Sequence, residues 1–507
     1  MPERHAHSPA TTPPKRISAL SHSPGATLAP LATLVTVAGL VACVALGLPG
    51  CTTVSVAVPG SVALPAAFTE APDPAAPGAG QDLSQWWQNW DDPELTQRIT
   101  RTLQANPDLR LAQARVAEAH ATGRIADSAL YPTLSAQARA ARGVTDLRSP
   151  AGLPDMSPGV DGYLAGATVA WEIDVFGGRR SDAQAAAAVA LGAEEQMRGT
   201  RLMIAADVAE NYFAARGLQR RLQVLDRSVD TVAQLLRYTR ARRAAGQALP
   251  FDVDRVSEQL DALRAQRPVL LSQISVRERR LAVLAGDAPQ GTAALPAPAA
   301  FFVPAPPAGQ LPSEVIQRRP DVRANAALVQ AQAARLGSAK AELFPRFYLT
   351  FLGQDGRLHL EGLPALSGSG GLLGVGVQLP IFTAGRLQAN IDAADARLQA
   401  AQANYDMVVL RALEEVDNAY GVRRGLDQRN ATLDRVVATA RRNSESAVRL
   451  YEGGLRTLQD VLDARVDALR REDEQVQTQT GQAIASVQLY RALGGGWPAG
   501  RATNAGE

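Results

Sequence analysis

The chain has 507 residues, enough for two or more ordinary domains, yet only 5% of them are aromatic while alanine is spread throughout. That composition suits long packed helices better than a globular core. The formal net charge of +2 comes from Glu3, Arg4, Lys15 and Arg16 alone, so the rest of the chain is neutral overall and nothing asks for nucleic acid.

Residues 1–50 begin with a charged segment, continue as an uncharged apolar run from about Ala26 to Leu48, and lead into Leu48-Pro49-Gly50-Cys51. This resembles a lipoprotein signal peptide, in which small residues precede a cysteine that is acylated and becomes the new N-terminus. The run is also long enough for an uncleaved membrane anchor, and Pro49 is unusual in such a box, so both readings stay open. Cys43 would leave with the signal and Cys51 would be blocked, which excludes disulfides within a protomer. Thr52 stands where an aspartate would hold familiar enterobacterial lipoproteins in the inner membrane, and the expected address is the outer membrane. Residues 51–92 then read as a lipid-anchored extended segment, since Thr52 to Gly80 is rich in Ala, Val and Pro with almost no charge.

Trp86, Trp87 and Trp90 precede Asp91-Asp92-Pro93-Glu94, a capped, proline-started helix. A second helix is predicted from about Asp108 to Leu130. Leu134, Ala136, Ala138 and Ala140 alternate with polar neighbours as a strand, 144–162 reads as a loop, and Tyr163 to Val175 alternates as a stronger strand. After Gly177-Gly178 no proline occurs until Pro250, which predicts one helix to about Gly246, near 100 Å long at about 1.5 Å per residue. Leu218, Leu222, Leu225, Val229, Val232 and Leu236 step by 4 and 3 along it, a coiled-coil seam whose partners would be return helices at about Asp252–Gly286 and Leu458–Gly494.

The same order then repeats. Asn106-Pro107-Asp108 and Tyr131-Pro132 recur 213 residues later as Arg319-Pro320-Asp321 and Phe344-Pro345. Arg216-Gly217-Leu218, Gly246 and Asp252 recur 208 residues later as Arg424-Gly425-Leu426, Gly454 and Asp460. A tandem duplication follows, with a first repeat at 93–286, a surface linker at 287–312, a second repeat at 313–494 and a flexible tail at 495–507. The second repeat holds its own hairpin at about 345–382, with 356–371 as the loop, and a second proline-free helix from Ala384 to Gly453.

Each chain thus supplies four amphipathic strands, too few to close a barrel in a bilayer. Copies must combine to hide the edges, two giving eight strands around a filled interior and three giving twelve around a passage. Tyr131, Phe176, Phe344 and Phe382 mark the helix–strand junctions and Trp171 lies in the second strand. They read either as an interfacial aromatic girdle or as ordinary core aromatics at turns.

Catalysis finds little support. Only His120 and His359 lie beyond residue 50 and no cysteine is free, so nucleophile–base pairs and Cys/His metal sites are not expected. No cofactor is expected either, since Gly494-Gly495-Gly496 lacks the strand and lysine of a phosphate loop. A carboxylate-only site at Asp460 and Asp463 stays conceivable, and a structural coiled-coil envelope scaffold would share the helical seam without needing the strands.

Arg319-Pro-Asp321-Val322, Phe382 to Arg386, Tyr451-Glu-Gly-Gly-Leu455, Val461-Leu462-Asp463-Ala464 and Leu493-Gly-Gly-Gly-Trp497 together resemble the TolC/OprM outer-membrane factors, more narrowly the lipid-anchored NodT-type branch. The resemblance implies a mainly α protomer with a membrane β-barrel: a homotrimer with a twelve-stranded barrel and a helical periplasmic tunnel. It also implies docking to a periplasmic adaptor (membrane fusion) protein and an inner-membrane RND transporter, with drugs or other small toxic solutes passing through. The same architecture serves type I protein secretion, the alternative. By the same resemblance Asp460 and Asp463 form the gate constriction, and Tyr451 and Arg456 latch to Asp252, where Phe251 departs from the polar neighbour often found. Asp460 and Asp463 also share one helix face, and acids at a helix start are favoured by its dipole in any case. Gly246 and Gly454-Leu455 read as adaptor-docking turns and equally as plain helix caps.

The lipobox is directly testable. Radiolabelled palmitate is expected to enter the wild type and not Cys51→Ser, while barrel insertion survives the substitution because the strands supply their own membrane affinity; equal labelling of both would overturn it.

Overall fold

Strand periodicity and helix punctuation give two copies of one pattern. In the computed structural model, residues 62–144, 159–291, 294–296 and 302–495 are described, so the signal segment, Cys51 and Trp497 lie outside the described residues. After a 3-10 turn at Trp86–Trp90 come α1 (Pro93–Ala105), α2 (Pro107–Ser128), β1 (Thr133–Val144), β2 (Gly159–Ile173), α3 (Gly178–Ala244) and α4 (Pro250–Leu284). The second set is α5 (Pro312–Arg318), α6 (Pro320–Ala341), β3 (Arg346–Leu360), β4 (Leu366–Gln378), α7 (Arg386–Glu452) and α8 (Leu458–Ala492). Matching helices agree in length, 22 residues for α2 and α6, 67 for α3 and α7, and 35 for α4 and α8, which is the duplication expressed in three dimensions.

Local chemistry starts each helix. Asn106 caps α2 by accepting from the amides of Asp108 and Leu109, and its own Nδ2 donates to the carbonyl of Leu284 at 2.8 Å. Gly177, at φ 82°, makes the turn from β2 into α3, and the Asp174 carboxylate accepts from the amides of Arg179 and Arg180 at the exposed helix start.

The four strands form one antiparallel sheet in the order β1-β2-β3-β4. Its register aligns Val169, Trp171, Phe347, Leu349, Phe351, Leu373, Val375 and Val377 on one face. Thr133, Ser135, Gln137, Thr168, Thr350 and Gln354 lie on the other. The helices inherit the strand order: α2 packs on α3, α3 on α6, and α6 on α7 near the sheet, while α4, α3, α8 and α7 follow one another beyond. Each 67-residue helix is thereby flanked along its length by a 22-residue helix toward the strands and a 35-residue helix returning from the far turn. Leu225, Val232 and Leu236 of the predicted seam are buried, and Leu218, Leu222 and Val229 are half-buried.

About halfway along α3 lies the main core. Val208, Tyr212 and Phe213 of α3 meet Trp86, Trp87, Trp90, Leu95 and Ile99, together with Val487, Tyr490 and Leu493 from the end of α8. Trp86 stacks on Tyr490 with centroids 5.5 Å apart, and the Tyr490 hydroxyl, pushed up to about 12 by burial, donates to Gln81 Oε1 at 2.6 Å. Buried Arg319 donates to the carbonyl of Ala492 and to Asp321 and Glu415, tying α6 to the C-terminal end of α8.

Several expectations change. The glycine-rich stretch 356–371 is loop only at 361–365: β3 continues to Leu360 and β4 begins at Leu366, because serine and glycine rows there stay in register with β3. β2 begins at Gly159 inside the stretch read as a loop, and it ends at Ile173 rather than Val175 because Asp174 is engaged at the helix start. The linker is not a surface strap throughout, since Ala308 is buried and the carbonyls of Pro304 and Pro307 accept from Arg423 and the Tyr420 hydroxyl. Gly495 is not tail but core, with Leu83 and Trp86 so close that a Cβ would lie 2.8 Å from the Leu83 carbonyl.

Two glycines at equivalent places in the repeats separate sharply. A Cβ at Gly217 would fall 2.2 Å from Thr480 Oγ1, where α3 and α8 cross, whereas nothing lies within 4 Å at Gly425. Gly217→Ala is expected to destabilise by about 1–3 kcal/mol through overpacking. Gly425→Ala is expected to be neutral or to stabilise by up to about 1 kcal/mol through helix propensity. Heat-induced loss of helicity in the two variants checks both signs.

Candidate functional site

The two far turns, joining α3 to α4 and α7 to α8, are built alike. At the first, Gly246 at φ 74° closes the helix with its amide on the Arg243 carbonyl, and Gln247 donates back to Arg242 at 2.8 Å. The second repeats this with Gly454 at φ 72° and Leu455 donating to the Leu450 carbonyl at 2.8 Å. Positive φ with open space around each glycine marks a conformational need rather than a packing one. Beneath both turns one cluster of Val232, Leu235, Leu236, Val253, Val256, Leu260 and Leu462 joins the hairpins, so the turns lie together at one end, about 100 Å of helix from the strands.

The predicted site residues converge here. Asp252 accepts from the Leu249 amide at 2.9 Å, and Asp460 accepts from the Thr457 amide and hydroxyl, each at 2.9 Å. Those bonds from Thr457, backbone first, hold the Asp460 carboxyl below the ordinary carboxylate range. Partial burial moves Asp463 the other way, above that range, against the pull of Gln459 and Arg255. Two acids on one face are thus pushed apart in acidity. Tyr451 and Arg456 are exposed on the second turn, and among the described residues of one protomer no hydrogen bond or ion pair joins either to Asp252. Leu455 stands out at 74% exposure, with Leu249 and Phe251 similarly bare on the first turn.

Sequence reading missed Arg255, which faces Asp463, although the 208-residue offset pairs those two positions. It also missed a bridge further up the hairpins, where Glu472 meets Arg227 at 2.6 Å and Arg441 at 3.4 Å. Burial penalises the Glu472 charge, yet the two guanidiniums outweigh it and hold the carboxyl low. Ion pairs between distant helices leave no local pattern that could have revealed this one.

At the other end the junction aromatics divide. Phe176 and Phe344 stack on each other with centroids 4.7 Å apart, joining the two hairpins, and Trp171 Nε1 donates to the Leu130 carbonyl at 3.0 Å. Tyr131 and Phe382 point outward, at 67% and 88% exposure. Among the described residues no helix is long and apolar enough to cross a membrane, and no cluster of His, Cys, Asp and Glu could hold a metal.

Residues 99–287 and 311–495, close to the two repeats, match the sequence family described as outer membrane efflux protein. The chain belongs to that family. It is similar to the pyoverdine export outer membrane protein OpmQ of Pseudomonas aeruginosa, 31% identical over 83% of this chain and 89% of that protein. It is likewise similar to the solvent efflux pump outer membrane protein SrpC of Pseudomonas putida, 28% identical over 80% and 86%. Among solved structures it matches the outer-membrane channel OprN with a TM-score of 0.76 at 28% identity, covering 88% and 100% of the two chains. The open state of the Neisseria gonorrhoeae MtrE outer membrane channel matches with a TM-score of 0.75 at 26% identity, covering 88% and 99%. A mainly helical tandem-repeat protomer with four strands is the fold of these channels, and outer-membrane efflux is the work of this one.

The capping geometry gives a signed pH dependence. Because the folded Asp460 carboxyl titrates below its unfolded value, its contribution is present above the unfolded carboxylate range near 4 and fades as pH falls through the lower folded value. The protection of the Thr457 amide from hydrogen exchange, measured against its intrinsic rate at each pH, is expected to be present at neutral pH in the wild type and to be lost in acid. In Asp460→Ala that protection is expected to be absent at both.

Proposed function

We propose that three copies of this chain close into a twelve-stranded outer-membrane barrel continued by a helical periplasmic tunnel, the outer-membrane component of a tripartite efflux system. The observation that carries this reading is the open sheet, whose β1 and β4 edges find no partner among the described residues while the flanking helices α2 and α4 on one side and α7 on the other follow the same order. A neighbouring copy can complete both at once, so that backbone groups in lipid are paired and the apolar sheet face turns outward. Tyr131, Trp171, Phe176, Phe344 and Phe382 then stand at the periplasmic boundary of the outer membrane, and Cys51 carries the lipid anchor.

Around a threefold axis the far turns form the inner end. Leu455, with Gly246 and Gly454 shaping the turns, is the contact for a periplasmic adaptor, behind which an RND-type inner-membrane transporter drives transport. Asp460 and Asp463 form two stacked rings of carboxylates there, which attract cations and repel one another. Tyr451 and Arg456 hold the hairpins toward Asp252. The carried solutes are small molecules of the kind named for the relatives: pyoverdine, solvents and antibiotics.

Reconstitution in a planar bilayer tests this. Wild-type protein running as a heat-dissociable trimer is expected to give small currents blocked by multivalent cations. Asp460→Ala with Asp463→Ala is expected to widen the pore and relieve the block, and Tyr451→Phe with Arg456→Ser to raise conductance and sensitise cells to vancomycin. Unchanged conductance and block in both double variants would leave these residues as helix caps.

A further inference from the structure

At the end of the sheet away from the helices, the polarity of its two faces inverts. The face that is apolar near the helices, through Phe347, Leu349 and Phe351, turns to Asp355, Arg357 and His359, with Arg142 and Asp161 in register beside them. On the opposite face the rows of Thr133, Ser135 and Gln137, polar except for Leu352 and Leu372 in the Ser135 row, give way to a leucine cluster. Arg139 pairs with Leu164, Leu164 with Gly356, and Gly356 with Gly368; the next row is Ala141, Gly162, Leu358 and Leu366, and Val160 pairs with Leu360 beyond.

These rows line an open concave groove of about 830 Å³ with a mainly apolar lining. Its depth comes from glycine. A Cβ at Gly356 would lie 3.1 Å from Leu164 Cδ1, so the missing side chain lets the leucine lie across the strand backbone. Arg139 is the one charge on these rows, since Arg142 and Arg357 also border the space but belong by register to the opposite face. Among the described residues Arg139 has no ion-pair partner. A guanidinium with no ion-pair partner among the described residues, set beside leucines in a groove of drug-like size, is complementary to one kind of ligand, an organic anion with an apolar body.

We propose that the outer end of the barrel interior is a binding collar for amphiphilic organic anions, with Leu164, Leu358 and Leu366 holding the apolar body and Arg139 the anionic group. This rests on the reading that three copies close with this face inward, which places three such sites around one mouth. Barrel interiors are ordinarily polar, so an exit lined by leucine favours solutes that carry apolar surface. A ring of three arginines raises the local concentration of anions over cations. The collar therefore sets a preference at the exit that is opposite in sign to the carboxylate rings at the inner end.

Planar-bilayer currents of the full-length trimer, with probes added at the barrel mouth, test the collar. Octane-1-sulfonate is expected to half-block wild-type current at a concentration about tenfold lower than octyltrimethylammonium does. Arg139→Gln is expected to abolish that preference. Leu358→Ser with Leu366→Ser is expected to raise the half-blocking concentration of both probes by about tenfold while the preference for the sulfonate persists. Arg346→Gln, at the helix end of the same face, is expected to leave the block unchanged. Equal block by the two probes in the wild type, or a preference that survives Arg139→Gln, overturns the collar and leaves the channel intact. A preparation with neither a heat-dissociable trimer nor an ion current overturns the channel reading and the collar with it.

Discussion

Backbone hydrogen bonding in lipid is the constraint on which the architecture depends. An N–H or C=O left unpaired in hydrocarbon costs several kcal/mol, and a four-stranded antiparallel sheet has two edges full of such groups. Within the chain the β2–β3 pairing runs unbroken from Val160–Leu360 to Ile173–Phe347, joining the two repeats edge to edge. The duplication therefore puts the repeats side by side, and the helices that leave the strands can only continue in the same order. In the proposed assembly the open edges at β1 and β4 belong to contacts between copies, which makes assembly a requirement of the membrane more than an addition to the fold.

Such long helices need fixing along their length, because paired helices slide where nothing sets their register. The belt halfway along α3 supplies that fixing with large aromatic side chains and buried polar locks. Arg423 donates to the carbonyl of Pro304 and to Asp427, Tyr420 to the carbonyl of Pro307, and Arg319 to the carbonyl of Ala492. Each of these groups is buried with its bonding partners in place, the condition under which a buried charge or hydroxyl does not destabilise. They also hold the N-terminal segment and the inter-repeat segment against the helices, where Ala79 and Ala308 form a short parallel bridge. Beyond the belt toward the far turns the polar contacts are mostly partly exposed ion pairs such as Arg227–Glu472 and Arg267–Asp226, weaker and more easily rearranged. A waist held by buried locks, with hairpins joined by more exposed ion pairs beyond it, is the arrangement that the proposed opening of the inner end calls for.

The sequence by itself determined much of this. Alternation gave the strands, the absence of proline gave the long helices, the offsets of 213 and 208 residues gave the duplication, and Gly246 and Gly454 gave the turns, because each of these signals is local or periodic. The converging acids at the second turn were legible for the same reason, since Asp460 and Asp463 lie one helical turn apart.

What the tertiary structure decided is everything that depends on pairs far apart in the chain. The glycine-rich stretch 356–371 looked like a loop because glycine and serine carry no strand propensity of their own, and only register with β3 makes most of it strand. Gly217 and Gly425 are indistinguishable in sequence, yet Thr480 stands against one and nothing against the other. Phe176 and Phe344 read alike as junction aromatics until the hairpins brought them into one stack, and Arg319 became a buried lock only when the end of α8 arrived beside it. The leucines of the barrel mouth are scattered over β2, β3 and β4, and their shared face appears only once antiparallel pairing aligns the rows. Periodicity determines which face of an element is apolar; which residues then meet across elements is set by packing, and packing is a property of the whole fold.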